Sequence, residues 1–569
     1  MSKNNTSDSA DKRKNILSAR FDDLKFSMRD PAQLTAVISV SVVVIMFIII
    51  PLFTILKESV LSGKKFSLQA YTSIFKNAYD LGIISNTLIL GIVVALLGTV
   101  VAFIFAYATT YLAIPHKRIF KIFSILPMVS PPFVISLAFI LLFGRSGLIT
   151  YKLLGIRPDI YGFWGLAFTQ VLSFFPTGYL MLTAMLQNID PSIEEAAQAL
   201  GSNQNRVFRT ITLPLMAPGL ANVVLLLFIQ SLADFGNAIV IGGNFTTMAV
   251  QIYQQGIGSY DMTGATAMAV ILLLISVLAF YLQNSVIGKK SYVTVTGKAS
   301  KQRILIDSKK VTVPVYLVCL LLSLFVLSLY AMVPIGAFVK MWGADFSFSF
   351  KWIQYVFSYG GRYIRDTSVL ALIATPVSSI LAMVSAFLIV RKNFPGKRTL
   401  EWFILIAIAL PGTVLGLGYV LTYNTPPIIL TGTSFILVVA LVIRSMPIGT
   451  RAGIAALKQI DPSIEEAACI SGAGMKKVFS SITIPLIRPV FFSSLVYAFI
   501  RGMTLVSTII FLVSAKWQML TVAIMNQVDQ GLYGAANAYC LVLIAIVALF
   551  MSIMYLFMKK MGINLDEGY

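Results

Sequence analysis

The sequence predicts an all-α integral membrane protein of about twelve transmembrane helices, built as two tandem six-helix domains related by pseudo-twofold symmetry. Three observations carry this prediction. The 569 residues are 57% hydrophobic and only 12% charged, with a mean hydropathy of +0.85, whereas soluble domains carry about 25% charged residues. The apolar residues fall in runs of about 20 or more, the length that crosses a bilayer as helix, and not in the short alternating segments of a barrel. The third observation is a long internal repeat.

In chain order, the apolar runs place spans at about 33–56, 83–111, 120–143, 160–187, 215–240 and 262–287, then at about 312–340, 366–390, 400–422, 432–456, 486–513 and 535–558. Residues 1–32 are read as a polar cytoplasmic tail, 33–288 as the first domain, 289–311 as a basic cytoplasmic linker, 312–560 as the second domain and 561–569 as a C-terminal tail. The tail is not of signal-peptide type, and the run after it is too long for a signal h-region.

The net charge of +21 reflects topology. Basic residues gather in cytoplasmic loops, and five clusters fall on one side if the N-terminus is inside. These are Lys12, Arg13, Lys14, Arg20, Lys25 and Arg29; His116, Lys117, Arg118 and Lys121; Lys289, Lys290, Lys298, Lys301, Arg303, Lys309 and Lys310; Arg391, Lys392, Lys397 and Arg398; and Lys559 and Lys560. Both termini are therefore expected in the cytoplasm. The outer loop 57–80, with several Lys, runs against this majority. No polar stretch is long enough for a basic soluble domain, so nucleic acid is not an expected partner. Cys319, Cys469, Cys540 and the lone His116 are scattered and form no metal-ligand or disulfide pattern.

The repeat is read by aligning the halves. "SNTLIL" at 85–90 answers "RDTSVL" at 365–370, "IPHKR" at 114–118 answers "FPGKR" at 394–398, and "SPPFVISLAF" at 130–139 answers "LPGTVLGLGY" at 410–419, all at an offset of 280. The offset then falls to 271, where "SFFPTG" at 173–178 answers "RSMPIG" at 444–449. Six spans per half return the chain to its starting side, so the repeats are parallel and related by an axis along the membrane normal.

The best-matched part of the halves is polar. "DPSIEEAAQALGSNQNRVFRTITLPL" at 190–215 answers "DPSIEEAACISGAGMKKVFSSITIPL" at 461–486. Asp then Pro starts a helix, with a capping side chain and a first-turn proline, and Ser192 with Glu195 offers a capping box one register later. Glu194 and Glu195 lie near the positive end of the helix dipole. Gly201 supplies a stop, and Pro214 ends a second amphipathic turn and opens the fifth span. The predicted helix has about ten residues, roughly 15 Å, too short and too polar to cross. Exposed loops drift fastest after a duplication, so a loop that matches better than the spans around it reads as a docking surface shown twice to a twofold partner.

Glu195-Ala196-Ala197, then Gly201, Ile211 and Leu213-Pro214, resembles the EAA loop in permease subunits of bacterial binding-protein-dependent ABC importers. The second copy keeps Glu466-Ala467-Ala468, Gly472, Ile482 and Pro485, with Ile484 in place of Leu. The resemblance covers nearly the whole chain, each half looking like one six-helix permease domain. It implies that Glu194, Glu195, Ala196, Ala197, Gly201 and Pro214, with Glu465, Glu466, Ala467, Ala468, Gly472 and Pro485, form ATPase-coupling loops. The short helices would sit in grooves of a cytoplasmic ABC ATPase homodimer, with Glu195 and Glu466 facing its basic residues. An extracytoplasmic solute-binding protein would deliver cargo, and the chain would lie in the bacterial cytoplasmic membrane. Two fused permease domains, "PGTVLGLGYVL" at 411–421 and "FIRGMTLVSTIIFLVSA" at 499–515 are most similar to the ferric-iron branch, whose relatives carry thiamine, aminoethylphosphonate or phosphorylated sugars.

Ionisable residues within spans mark functional sites by default. Gln230, Asp234, Arg444 and Arg501 are the candidate translocation path. Two intramembrane arginines suit an anion, whereas ferric iron prefers oxygen ligands, so charge and resemblance pull toward different cargos. No G-x-x-x-x-G-K-[ST] phosphate loop occurs in the chain. ATP and magnesium are thus expected on the partner, with no catalytic residue, metal or cofactor in this chain. An ion-coupled secondary transporter also has parallel halves, but it needs midplane coupling residues and has no use for a twice-copied cytoplasmic helix.

Overall fold

A computed structural model describes residues 31–62, 65–287 and 303–562. The N-terminal tail to residue 30, the linker from 288 to 302 and the end from 563, with the basic clusters read there, lie outside the described residues.

The first half comprises α1 (Pro31–Ser59), α2 (Ala78–Tyr111), α3 (Lys117–Ile125), α4 (Phe133–Leu153), α5 (Phe163–Gln187), α6 (Pro191–Ala199), α7 (Gln204–Leu232), α8 (Gly236–Ile241), α9 (Met248–Tyr253) and α10 (Met262–Ser285). The second comprises α11 (Lys309–Phe338), α12 (Gly361–Arg391), α13 (Lys397–Ile406), α14 (Gly412–Tyr423), α15 (Ser434–Lys458), α16 (Ser463–Ile470), α17 (Lys476–Leu486), α18 (Arg488–Thr504), α19 (Leu520–Asp529) and α20 (Tyr533–Lys560). In each half a two-stranded hairpin and a short amphipathic helix, Gln69–Lys76 or Lys351–Tyr359, follow the first span.

Among the described residues ten helices are long and apolar enough to cross a membrane, and α17 with α18 makes an eleventh as a pair bent by 82°. The remaining expected span, the ninth at 400–422, is broken into α13 and α14 around Pro411. Proline lacks an N–H and pushes the preceding residue out of the helical region. Prolines at 127, 131 and 132 likewise separate α3 from α4, so the third span begins later than the hydropathy implies. The fifth span stops at Leu232, short of the expected 240, and α8 and α9 fold as separate short helices beyond it.

Each half is built on one trio, α2 with α5 and α7, or α12 with α15 and α18. The trios close because matching glycines follow matching prolines. A β-carbon on Gly178 would lie 2.8 Å from Val223 Cγ1 and 3.0 Å from Ala102 Cβ, and one on Gly449 would lie 2.5 Å from Ser494 Oγ and 2.9 Å from Ala382 Cβ. The halves also exchange their first helices. α1 packs on α12, α13 and α14 of the second half, where Tyr419 donates a 2.9 Å hydrogen bond to the Phe47 carbonyl and Tyr423 donates to that of Met46. α11 packs on α2, α3 and α4 of the first half, with Tyr330 and Ser130 hydroxyls 2.6 Å apart. His116 belongs to this seam, its Nδ1 3.3 Å from the Tyr316 hydroxyl. A repeated threonine ties down the end opposite α6 and α16. Thr87 accepts from the Met248 N–H at 2.9 Å, and Thr367 from the Leu520 N–H at 2.7 Å.

Candidate functional site

α6 and α16 have the same local construction. Asp190 and Asp461 each accept, through Oδ1, the N–H two residues on, Ser192 or Ser463, at 2.9 Å. Each helix stops at a glycine with positive φ, +86° at Gly201 and +84° at Gly472. The residue after the glycine then donates back five positions, Ser202 to Ala197 and Ala473 to Ala468, both at 3.0 Å, the closure that glycine permits without steric cost. Pro214 does not end the turn that follows. The backbone runs on as helix from Gln204 through a wide turn at 208–212 into α7. The matching Pro485 lies just before the bend, which falls at Ile487 between α17 and α18.

The paired glutamates of each copy divide into two roles. Glu194 and Glu465 are buried, each with 7% of its surface accessible, while Glu195 is half-buried and Glu466 exposed. In the second copy Glu465 accepts from the Thr483 hydroxyl at 3.0 Å and pairs with Arg391, Nε to Oε2 at 3.0 Å. That Nε–H is not aimed along a hydrogen-bond line, so the contact is ionic in character. Arg391 also donates to the Ile460 carbonyl at 2.7 Å, fastening the last turn before α16 to the end of α12.

The first copy makes the same anchor from different residues. Glu194 accepts from Thr212 at 2.6 Å, the repeat partner of Thr483. The position matching Arg391 is Tyr111, whose hydroxyl donates to Glu194 at 2.9 Å. The cation comes from beyond the first half. Arg303 places its guanidinium 3.8 Å from the centre of the Tyr111 ring and its Nε 3.4 Å from Glu194 Oε2. It donates to the carbonyls of Leu186 at 3.0 Å and Ile189 at 2.8 Å, and Ile189 is the counterpart of Ile460. A two-bond bridge holds the linker there, Ile306 N–H to the Tyr111 carbonyl and the Ala113 N–H to the Ile306 carbonyl, each 2.9 Å.

Arg303 and Arg391 carry no motif, and at the sequence level they read only as members of basic loops. Thr212 and Thr483 were the available signal: both stand 18 residues beyond a repeated glutamate. The outward faces of the short helices carry apolar side chains. Leu200 and Ile470 are each 88% exposed, and Ile193 and Ile464 about half. Ala196 and Ala467 are exposed, and Ala197 and Ala468 half-buried. A compact apolar patch repeated on one end of a bundle has the character of an interaction surface.

Of the intramembrane candidates, Asp234 lies in a closed polar network. Gln170 donates to it at 2.8 Å, and Ser231 donates to Gln170 at 2.5 Å. Asn237 donates its N–H to Asp234 at 3.4 Å and accepts from Ser136 at 2.7 Å. Gln230 stands apart, with a 3.4 Å contact to Thr177. Arg444 donates to the carbonyl of Leu410 at 2.6 Å, at the break between α13 and α14. The charge of Arg501, on the helix packed against α15, acts on it, so these two of the four are brought together and Asp234 is not among them. Among the described residues no three His, Cys, Asp or Glu side chains form a metal-binding group.

Two interlocked parallel halves, each a membrane-embedded trio of helices anchoring one short polar helix at the same end, define a polytopic membrane permease. The model of the family described as "Binding-protein-dependent transport system inner membrane component" matches twice, at residues 98–291 and 374–563. The chain belongs to that family, as a fusion of two copies, and is the multi-pass inner-membrane permease subunit of a transport system. It is 38% identical over 540 residues to the "Ferric transport system permease protein FbpB" of Actinobacillus pleuropneumoniae, covering 92% of this chain and 78% of that one. It is 37% identical over 505 residues to the "Putative ferric transport system permease protein FbpB 1" of Haemophilus influenzae, covering 86% and 80%.

Proposed function

We propose that this chain is the membrane subunit of an ATP-driven importer of ferric iron. The similarity to two ferric transport permeases along most of the chain carries the choice of cargo. Hydrolysis falls to a separate cytoplasmic ATPase, which binds ATP and magnesium, and a solute-binding protein outside the membrane delivers the iron. Both termini lie in the cytoplasm, together with α6 and α16.

The coupling role of those helices is supported by their division of labour. Glu194 and Glu465 face inward and join each helix to its own bundle, while Glu466, Ile193, Ile464, Leu200 and Ile470 face outward. A helix fixed on one face and apolar on the other transmits a partner's movement instead of absorbing it. Closure of two ATPase subunits would draw the two helices together and switch the bundle between outward- and inward-facing states. Because the copies match so closely, the expected partner is a homodimer.

The test is uptake of radiolabelled ferric iron into vesicles containing the full complex. Replacing Glu195 and Glu466 together by Lys is expected to abolish uptake while ATPase activity persists. Full ATP-dependent uptake by that variant would refute the docking role. Uptake of another solute in preference to iron by the unaltered complex would refute the cargo.

A further inference from the structure

The second half contains a charged pair that the anchors and the exchanged helices leave unexplained. Arg444 stands in the middle of α15, and Arg501 in the last turn of α18. These helices run antiparallel in a register set by their close contacts. Gly449 meets Ser494, and Gly502 meets Leu441. Arg444 and Arg501 therefore lie within about one helical turn of the same level, and the charge of Arg501 acts on the Arg444 guanidinium.

Their partners do not account for them. Arg444 donates to the Leu410 carbonyl at 2.6 Å, with a longer contact of 3.5 Å to that of Ala407. The Arg501 side chain makes no hydrogen bond to any described residue, and the Nε of each arginine is buried and unpartnered. No described carboxylate lies within 4 Å of either. The other groups acting on Arg444 are the phenols of Tyr497 and Tyr419. Tyr497 and Arg501, four residues apart, share one face of α18. Both arginines stay partly accessible while Leu441, Ala498 and Gly502 beside them are closed off. The C-terminal dipole of α18 favours one cation, but it neither balances two nor fills their N–H forks.

The fold does not need this charge. At the matching positions the first half has Ser173 and Gln230, both neutral, within the same trio of helices. Two like charges at a membrane-embedded level without a counter-ion are costly, and a small oxyanion removes that cost. Planar guanidinium forks match phosphate and carboxylate oxygens two at a time.

We propose that Arg444 and Arg501 together form a binding site for a small phosphate- or carboxylate-bearing anion within the second half of the permease. The site stands on charge and geometry and does not depend on which cargo the complex imports. The test uses the purified full chain in nanodiscs of zwitterionic lipid. Binding of radiolabelled phosphate and of citrate is measured by equilibrium dialysis, and the melting temperature by intrinsic fluorescence with and without each anion.

Saturable binding of about one anion per chain, accompanied by a higher melting temperature, is expected. R501Q should weaken it by about tenfold or more, the effect of losing one charge-assisted contact. R501Q should also melt no lower than the unaltered chain without anion, because Arg501 holds nothing else. If R501Q fails to fold, R501K, which keeps the charge and loses the fork, replaces it and should still bind more weakly. If soluble anions do not bind, but anionic lipid raises the melting temperature of the unaltered chain and not of R501Q, the ligand is a lipid headgroup at the same site. If neither source distinguishes the unaltered chain from R501Q, or from R501K where that replaces it, the proposal is overturned.

Discussion

The short helix α6 is expected to depend on a residue more than a hundred positions away. Replacing Arg303 by Met keeps a long unbranched side chain but removes the charge, the guanidinium over the Tyr111 ring and both bonds to the Leu186 and Ile189 carbonyls. Arg303 and Glu194 are almost wholly enclosed, with 13% and 9% of their side chains accessible. Removing one partner of such a pair costs about 3–5 kcal/mol. Glu194 keeps two hydroxyl donors, Tyr111 and Thr212, which places the cost near the lower end, about 3 kcal/mol. Since 1.4 kcal/mol is about tenfold, the equilibrium for lifting α6 off the bundle should rise roughly 100-fold. Amide hydrogen exchange across 189–212, followed by mass spectrometry, reads this directly. The equivalent segment 460–483 is the internal control, because its cation, Arg391, is untouched. Adding Tyr111→Arg should restore protection by giving the first half the residue that the second half has at that position. Unchanged exchange across 189–212 in R303M would refute the anchor. Equal loss of protection in both copies would refute its locality.

Three further outcomes follow from the same geometry. Thr367→Val leaves the Leu520 N–H buried without its acceptor, so about 1–3 kcal/mol should be lost, seen as faster exchange at the start of α19. Gly449→Val forces a side chain to within 2.5 Å of Ser494 Oγ and should cost about 1–3 kcal/mol in thermal unfolding, whereas Gly361→Ala, with nothing within 4 Å of the new methyl, should leave the melting temperature unchanged. Hydrogen bonds from Ser463 hold the Asp461 carboxyl below its ordinary 3.8. A depressed carboxyl stabilises the fold above its unfolded value and loses that effect as pH falls through the folded one. Protection of α16 should therefore decline below about pH 3.8 in the native chain and show no such step in D461N.

Much of this molecule was legible as letters. Hydropathy and length established membrane helices, because a bilayer leaves the backbone no other partner than itself. The repeat established two parallel halves. The polar helices, with their aspartate starts and glycine stops, were readable because capping acts over a few residues and needs no tertiary context. The broken ninth span was not read from its apolar run, although Pro411 was in plain view, because hydropathy averages over the residue that breaks the helix.

What only the folded chain decided is who meets whom over long distances. Glu194 and Glu465 have identical neighbours in sequence, yet one finds its cation within its own half at Arg391 and the other finds it in the linker at Arg303. The exchange of first helices makes this happen. Because α11 packs on the first half, the residues just before it arrive beside Tyr111 and α6. Arg444 and Arg501, 57 positions apart in the sequence, come to one level through glycine contacts between antiparallel helices. Sequence periodicity shows which face a residue occupies, but the partner across that face is chosen by packing, which depends on shape along the whole length of both helices.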